Sequence, residues 1–285
     1  MSLIQRGQRG QPQICVSDSL EKARNVKWAV LNTGSMNVWK SDLLILRGQS
    51  ERKKNCPIWC SYIETPDVRM LIDTGQNPNA KSLQNSFSRS EVCWNIDDIV
   101  QSPDQCLDKQ LEKLGVLPDE IDIVLYSHLH TDHTGFSTLF PKARHIAQLA
   151  ELRYALAPDN WQDAIYCRGL FLPVLDQFDP INGDVMIAPG IYALEAPGHT
   201  PGSQVILIMP EKGQPWFLLH DIAYLMESFK DDWPPSMVYD PIEFIRSLQQ
   251  VKQHIRTLGA KYYFGHDAEQ FRTMKTAPEW EYNDY

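Results

Sequence analysis

Residues 127–133, Ser-His-Leu-His-Thr-Asp-His, place three histidines and one carboxylate within six residues. The whole chain has eight histidines in 285 residues, so this density is far above chance. Imidazole and carboxylate groups are common ligands of Zn²⁺ and of neighbouring divalent metals. The segment directly follows an apolar run at residues 121–126, and a loop at the end of a strand can direct the first two histidines to one ion and Asp132 and His133 to another. The pattern therefore predicts a centre for two metal ions.

Further metal ligands are expected where other strands end. The candidates are His199, Asp221 and His266, each of which follows an apolar run and begins a turn. Glycines beside His199 and His266 allow the backbone to bend tightly around a ligand. Three of the remaining histidines are interpreted as structural residues: His145, His220 and His254.

Short apolar runs rich in Val, Ile, Leu and aromatic residues recur along the chain from residue 27. Runs of this length and composition predict the strands of a mostly buried sheet. They occupy residues 28–31, 43–46, 58–63, 68–72, 121–126, 185–188, 192–195, 205–209, 216–219 and 262–264.

Three segments are predicted to be helical. The first begins at Ser102, where Gln105 completes a capping box, and it ends at Gly115. Another covers residues 147–156. The longest is capped by Asp240 and ends at the glycine at position 259. Its predicted buried face consists of Ile242, Ile245, Leu248, Val251, Ile255 and Leu258.

Composition excludes several classes of protein. Hydrophobic residues make up 43% and charged residues 22%, as in a globular protein, and no stretch approaches eighteen apolar residues, which excludes a membrane span. The net charge of −9 argues against a broad basic face that grips nucleic acid. No secretory signal is visible in the first 13 residues and the cysteines form no C-x-x-C pair, so a cytoplasmic location is expected.

The order of the predicted elements gives the domain organisation. Residues 1–26 are polar and lack periodicity, and are predicted to form an N-terminal arm. Residues 27–285 contain strands, then helices, then strands again, without an internal linker or repeat. This order predicts a single α/β domain in which sheets lie between helices.

The H-x-H-x-D-H signature of residues 128–133 resembles that of the metallo-β-lactamase superfamily, and the other motifs of that superfamily occur in order. Asp73 lies in Leu-Ile-Asp-Thr-Gly at residues 71–75, which is similar to the first motif. The third, fourth and fifth motifs are matched by His199, Asp221 and His266. The resemblance implies a four-layer αβ/βα sandwich.

The same resemblance implies a ligand set for two divalent metal ions, with Zn²⁺ as the default and Mn²⁺, Co²⁺ or Fe²⁺ as the other options. Three histidines would hold the first ion, one aspartate and two histidines the second, and another aspartate would bridge both. In that order these residues are His128, His130 and His199; Asp132, His133 and His266; and Asp221. Asp73 would orient the ligand loop. Diiron redox relatives usually carry glutamate at position 130, so the histidine there favours the hydrolytic branch.

Within the superfamily, the sequence is most similar to the N-acyl homoserine lactone lactonases. The similarity is carried by residues 55–65, 196–203 and 263–270. Tyr224, three residues after Asp221, matches the tyrosine that those enzymes place over the substrate carbonyl. The resemblance implies hydrolysis of the lactone ring of an N-acyl homoserine lactone, or of a related lactone, by a metal-bridging hydroxide. Catalytic roles then fall to Tyr224, to Asp132 as proton donor to the leaving oxygen, and to Asp221.

Two features depart from the pattern of these lactonases or extend it. Thr131 stands where some of them carry an aromatic residue that packs on the ligand. Five aromatic residues near the expected pocket could wall an acyl chain, although each taken singly is expected in the core: Trp39, Phe87, Trp94, Phe136 and Trp161.

Other functions use the same metal core. A phosphotriesterase remains an alternative, because it needs the same metals and an aromatic pocket. A glyoxalase II-like thioesterase is expected to carry a basic helical region, whereas residues 276–285 are acidic. A non-catalytic metal-binding protein is expected to lack a ligand, and all seven are present. The expected partner is a small-molecule lactone, without nucleic acid or membrane, and exchange of the polar arm leaves a homodimer open.

Overall fold

Two β-sheets lie face to face at the centre of the protein. The computed structural model describes residues 14–45, 52–80, 83 and 99–284. Within these residues the strands are β1 (Lys27–Trp39), β2 (Arg52–Glu64), β3 (Arg69–Ile72), β4 (Ile99–Val100), β5 (Ile123–Leu125), β6 (Arg144–Ile146), β7 (Val185–Ala188), β8 (Ile191–Glu195), β9 (Gln204–Ile208), β10 (Trp216–His220), β11 (Lys261–Phe264) and β12 (Tyr282–Asn283).

The two sheets are both mixed. In the larger sheet the strand order is β12-β1-β2-β3-β5-β6, and β4 also pairs with β1; in the smaller sheet it is β11-β10-β9-β8-β7. Strands β3, β5 and β6 run parallel, as do β10 and β11, and the other pairs are antiparallel. The loops that follow two neighbouring parallel strands leave the sheet at the same edge. The loops after β3 and β5 therefore begin close together, as do the loops after β10 and β11.

Alternate side chains of the smaller sheet pack in different layers, because successive residues of a strand point to opposite faces. In β9, Ile206 and Ile208 pack between the two sheets. Val205 and Leu207 pack on the other face, against the helix Pro241–Leu258. The larger sheet is covered in the same way on its outer face, where helices Leu107–Glu112 and Leu149–Leu156 contribute to a second core. The predicted four-layer αβ/βα sandwich is confirmed.

The α-helices of the described residues are Lys40–Leu43, Leu107–Glu112, Thr131–Thr134, Leu149–Leu156, Arg168–Phe171, Met226–Asp231, Pro241–Leu258 and Ala268–Phe271. Shorter 3₁₀ turns occur at Pro103–Gln105, Pro118–Glu120, Ser137–Leu139, Asp163–Ile165 and Leu172–Gln177.

The longest helix has the predicted ends. Asp240 Oδ1 accepts hydrogen bonds from the backbone N–H groups of Ile242 and Glu243, and Gly259 ends the helix at a φ of 57°. The prediction that Ile242 is buried is wrong, since this residue is 63% exposed. The buried face begins instead at Phe244, and a residue two positions before it lies on the opposite side of the helix.

Two other local predictions need correction. The helix predicted from Ser102 is divided at Cys106, whose extended backbone (ψ 142°) separates a 3₁₀ turn from an α-helix. The strand predicted at 43–46 is wrong: Leu43 ends a short helix, and residue 46 lies outside the described residues. Leu43 is fully buried, and a short apolar run does not by itself distinguish a strand from a buried helix.

The described part of the predicted N-terminal arm packs against the smaller sheet. Ala23 donates its backbone N–H to the Met209 carbonyl at 2.7 Å, and Val16 is buried in the outer core of that sheet. Residues 1–13 lie outside the described part of the chain. None of the described helices is long and apolar enough to cross a membrane. The described cysteines are free thiols: Cys15, Cys56, Cys60, Cys106 and Cys167.

Candidate metal centre

The predicted metal ligands meet where several strands end. Residues 128–133 follow β5, and His199 follows β8. Asp221 comes directly after β10, and His266 lies two residues beyond the end of β11. All seven side chains are buried except that of Asp132, which is partly exposed. The convergence expected from the sequence is present in the fold.

The first group comprises His128, His130, His199 and Asp221, whose ligand atoms all lie within 4.8 Å of one another. His199 Nε2 is 3.2 Å from Asp221 Oδ2 and 3.1 Å from His130 Nδ1. His128 Nε2 lies 3.6 Å from the same Asp221 oxygen. Three imidazoles and one carboxylate oxygen thus surround one point.

The second group comprises Asp132, His133 and His266, within the same 4.8 Å limit. The Nε2 atoms of His133 and His266 lie 3.6 and 3.7 Å from Asp132 Oδ2. They lie 3.4 and 3.2 Å from Asp221 Oδ1. Asp221 therefore presents one carboxylate oxygen to each group, which is the position required of a bridging ligand.

Four atoms that face the two groups are buried without a hydrogen-bond partner among the described residues: His128 Nε2, His133 Nε2, Asp221 Oδ1 and His266 Nε2. An unsatisfied buried polar atom costs about 1–3 kcal/mol, so a cluster of them requires something to bind. Imidazole and carboxylate donors in this arrangement satisfy divalent cations. The residues present therefore fit two divalent metal ions.

The electrostatic surroundings keep His128, His130 and Asp221 in the protonation states that bind a cation. Burial and the neighbouring histidines hold the pKa values of His128 and His130 well below the usual value, so both imidazoles are neutral. Burial raises the pKa of Asp221, but the surrounding histidines outweigh it and lower that pKa well below its usual range. Neutral imidazole and ionised carboxylate are the forms that coordinate metals.

His133, like His266, differs in its pKa from His128 and His130. Burial lowers its pKa, but the carboxylates of Asp132, Asp73 and Asp221 outweigh this effect and raise the pKa well above the usual value. Without a metal the ring is therefore protonated at neutral pH. Coordination requires a neutral imidazole, so a metal ion that binds His133 displaces a proton.

Asp73 organises the ligand loop from the end of β3. Its Oδ1 accepts the backbone N–H of Ser127 and its Oδ2 accepts the Ser127 hydroxyl, both at 2.7 Å. The same Oδ2 lies 2.7 Å from His133 Nδ1, which leaves the other ring nitrogen of His133 for the metal site. These are the contacts of a residue that orients ligands, the role implied by the family resemblance.

His220, interpreted from the sequence as structural, also contacts Asp73. Its Nδ1 lies 3.1 Å from Asp73 Oδ2, and its ring stacks on Trp59 with centroids 5.7 Å apart. His145 is confirmed as structural, because its two ring nitrogens lie within hydrogen-bond distance of the Tyr126 hydroxyl and the Phe140 carbonyl. The fully buried His220 thus supports the orienting carboxylate.

The loop that carries His266 passes close to the bridging carboxylate. His266 Nδ1 lies 2.9 Å from the Pro57 carbonyl, which fixes the ring so that Nε2 faces the metal site. A Cβ atom at Gly265 would lie 2.8 Å from the His220 carbonyl oxygen and 3.0 Å from Asp221 Oδ1. Glycine at this position therefore allows the loop after β11 to lie close to the end of β10.

Tyr224 lies over both groups of ligands. Its ring centroid is 5.6 Å from that of His199 and 5.0 Å from that of His266. Burial raises the pKa of its hydroxyl well above the usual value, and the charges of Asp221 and Asp132 raise it further. The hydroxyl therefore stays protonated and can donate a hydrogen bond.

A cavity opens beside the two groups of ligands. Its lining includes Tyr224, Asp132, Asp221 and His266. The rest of the wall includes the aliphatic side chains of Met36, Ile58, Ile99, Ile165 and Met237. This combination of apolar wall and convergent polar groups is typical of small-molecule sites.

Of the five aromatic residues considered for this wall, three are described, and none of the three lines the cavity. Phe136 packs in the core under the larger sheet, and Trp39 and Trp161 are about half exposed outside the cavity lining. Phe87 and Trp94 lie outside the described residues. Thr131 lines the cavity, and its hydroxyl donates to the Ile165 carbonyl at 2.8 Å.

Glu151, which the sequence did not single out, ties two ligand loops together. Its Oε1 accepts the backbone N–H of Leu129, between the first two ligand histidines, at 2.9 Å. Its Oε2 accepts the backbone N–H of Gly202, in the loop after His199, at 3.2 Å. The side chain is fully buried, and burial raises its pKa. A carboxylate within a predicted helix gives no local signal of this role.

Replacing Glu151 with glutamine is expected to weaken metal binding about tenfold to a hundredfold. The amide keeps one acceptor oxygen but turns an NH₂ group towards a backbone N–H donor, so one of the two loops loses its anchor. A competition titration with a chromophoric chelator measures the affinity. Glu112→Gln, on an exposed side chain, is the matched control. Unchanged affinity in Glu151→Gln would contradict the role of this carboxylate.

Comparison with known proteins identifies the class. The family model of the metallo-beta-lactamase superfamily matches residues 54–212. The chain belongs to the metallo-β-lactamase superfamily.

Within that superfamily the similarity is to lactonases. The N-acyl homoserine lactonase AiiA of Bacillus thuringiensis subsp. kurstaki is 30% identical over 226 residues, which cover 79% of this chain and 87% of the relative. AttM of Rhizobium radiobacter, also an N-acyl homoserine lactonase, is 31% identical over 67% of this chain and 73% of its own length.

Solved structures show the same similarity to lactonases. A structure of an N-acyl homoserine lactone hydrolase, with the product N-hexanoyl-L-homoserine bound at its catalytic metal center, superimposes with a TM-score of 0.77 at 27% identity. The match covers 92% of this chain and 99% of that one. A quorum-quenching N-acyl homoserine lactone lactonase gives a TM-score of 0.76 with the same coverage.

Proposed function

We propose that this protein is a metal-dependent lactonase that opens the lactone ring of N-acyl homoserine lactones. The observation that carries the proposal is the position of Tyr224, over two groups of metal ligands and at the side of a cavity with an aliphatic wall. An aliphatic wall suits an acyl chain, and the tyrosine suits a carbonyl oxygen. The relatives named N-acyl homoserine lactonase support the same substrate class.

The two groups of ligands are proposed to hold two divalent ions that share Asp221. The remaining ligands are His128, His130 and His199 for one ion, and Asp132, His133 and His266 for the other. When bound, such ions polarise the carbonyl and make a water nucleophilic at neutral pH. We infer zinc as the metal, because the site is rich in histidine.

The chain's own groups act on the two oxygens of the scissile ester. The Tyr224 hydroxyl donates a hydrogen bond to the carbonyl oxygen as negative charge develops there. Asp132, which is partly exposed and lines the cavity, is positioned to take the proton that the attacking water loses and to pass it to the ring oxygen as that oxygen leaves. Asp221 presents one carboxylate oxygen to each group of ligands and so fixes their relative position. The aliphatic wall positions the acyl chain.

A hydrolysis assay tests the function. The purified protein, a chelator-treated sample and a zinc-reconstituted sample are each given N-hexanoyl homoserine lactone, and the ring-opened acid is measured by chromatography. We expect opening of the lactone, its loss after chelation and its recovery with zinc. Paraoxon and a glutathione thioester run in parallel. Hydrolysis of paraoxon alone by the fully metallated protein would favour a phosphotriesterase and contradict the proposal.

Three finer features complete the proposal. The proposal includes one catalytic domain at residues 27–285 preceded by an arm at residues 1–26, and a cytoplasmic location; exchange of the arm leaves a homodimer open. The association state can be measured by analytical ultracentrifugation of the full chain and of a chain that begins at residue 14.

A further inference from the structure

Gln76 is a buried amide in the wall of the cavity beside the metal centre. It lines that cavity together with Asp132 and Tyr224, and its side chain has no exposed surface. It lies three residues after Asp73, in the loop that follows β3. The carbonyl of the preceding residue, Gly75, accepts the backbone N–H of Gly135 at 2.7 Å, which joins this loop to the ligand loop.

The orientation of the Gln76 amide is fixed by its neighbours. Its Nε2 donates to the backbone carbonyls of Thr33 and Ser35 in β1, each at 3.3 Å. Carbonyl oxygens only accept hydrogen bonds, so the NH₂ group must face them and the amide cannot be reversed. The other end of the amide, Oε1, is buried without a hydrogen-bond partner among the described residues. An acceptor in the cavity wall is left for a ligand.

The substrate class proposed above supplies one matching donor. An N-acyl homoserine lactone has a single N–H, the amide that joins the acyl chain to the lactone ring, and its other polar atoms are acceptors. On the protein side, Tyr224 is a donor for the ring carbonyl, and the hydroxyl hydrogen of Thr131 is engaged by Ile165. Gln76 Oε1 is the complementary acceptor for the substrate N–H.

We propose that Gln76 is a specificity-determining residue whose Oε1 accepts a hydrogen bond from the substrate amide N–H and so selects lactones with an α-acylamino group. The inference rests on the proposed lactonase function and deepens it. A site built to pair with an N–H disfavours the analogue that lacks it, because the buried acceptor then stays unpaired. A residue that only supported β1 would not distinguish the two substrates.

The test compares two substrates that differ in one group. N-hexanoyl homoserine lactone carries the amide N–H, and α-hexanoyloxy-γ-butyrolactone has an ester oxygen in its place. We expect the zinc-loaded wild type to favour the amide in kcat/KM by about tenfold to a hundredfold, after correction for the rates of ring opening in alkali. Gln76→Met is expected to lower kcat/KM for the amide by a similar factor and to leave the ester nearly unchanged.

Two further variants separate recognition from support of the fold. Gln101 Nε2 also donates to the Thr33 carbonyl, at 2.9 Å, and supports the backbone of Gln76 by donating to its carbonyl at 3.1 Å, but Gln101 does not line the cavity. Gln101→Met is therefore the matched control and is expected to change both substrates by the same factor. Gln76→Glu keeps an acceptor oxygen, and its other oxygen must carry a proton to face the Thr33 and Ser35 carbonyls; in that form the variant is expected to retain the preference for the amide.

The outcomes distinguish this inference from the function on which it rests. If the metallated wild type opens neither lactone, the proposed function fails and the role of Gln76 fails with it. If the wild type opens both with equal efficiency, or if Gln76→Met lowers both equally, the lactonase stands and the role of Gln76 is overturned. A collapse of the preference in Gln76→Met, with the preference kept in Gln101→Met, supports the assignment.

Discussion

Asp221→Asn is expected to lose both metal ions and to lower kcat/KM for lactone opening by more than about 10³-fold, which exceeds the loss of a single oxyanion donor. In the structure Asp221 Oδ2 lies 3.2 Å from His199 Nε2, and Oδ1 lies 3.2 Å from His266 Nε2. An asparagine side chain has only one oxygen. Its NH₂ group would face imidazole nitrogens and cannot bind a cation, so at least one group of ligands is left incomplete.

The loss of charge increases this effect. His133 and His266 have raised pKa values because carboxylates, including that of Asp221, outweigh their burial. Removing this carboxylate takes away part of the counter-charge of these buried imidazoles, and Asp132 and Asp73 supply what remains. The local structure is then expected to loosen, and metal affinity to fall further.

Elemental analysis and steady-state kinetics measure both effects in the same samples. Asp119→Asn is the matched control, since Asp119 is exposed and pairs with Lys142 at 2.5 Å, away from the site. This control is expected to keep its metal content and activity. If Asp221→Asn retained two ions per chain and full turnover, the two groups of ligands would not share this residue and the proposed centre would be wrong.

The sequence was sufficient to predict the convergence of the ligands because each ligand segment begins within four residues of the end of a strand. A histidine or aspartate just beyond an apolar run is placed at a sheet edge by the strand itself, as Asp221 is by β10. Successive side chains of a strand point to opposite faces, so the strand pattern also indicates which residues are buried. The two central sheets and the layers of helices could therefore be predicted.

The supporting residues could not be predicted, because their roles depend on contacts between distant segments. Glu151 acts through a backbone N–H 22 residues earlier and another 51 residues later. Gln76 is oriented by carbonyls in β1 more than 40 residues before it. Neither residue type nor local spacing reports such contacts. The same limit left open which aromatic residues would line the cavity.

Tyr224→Phe is expected to keep both metal ions and to lower kcat for lactone opening by about 10²–10³-fold. The ring packs with Met36, Ile58 and Leu225, and phenylalanine preserves those contacts. Only the hydroxyl is lost, and its raised pKa shows that it is a donor rather than an anion at neutral pH. A donor that serves the developing oxyanion stabilises the transition state more than the bound lactone, so KM is expected to change less than kcat.

Metal content and kinetics measured together separate this effect from that of Asp221→Asn, because here the ions stay while the rate falls. Tyr263→Phe is the matched control: its hydroxyl donates to Glu281 at 3.4 Å, and Tyr263 packs in the core between the sheets rather than in the cavity. It is expected to leave kcat unchanged. Full activity in Tyr224→Phe would remove this hydroxyl from the reaction, since stabilisation of the carbonyl oxygen would then come entirely from other groups.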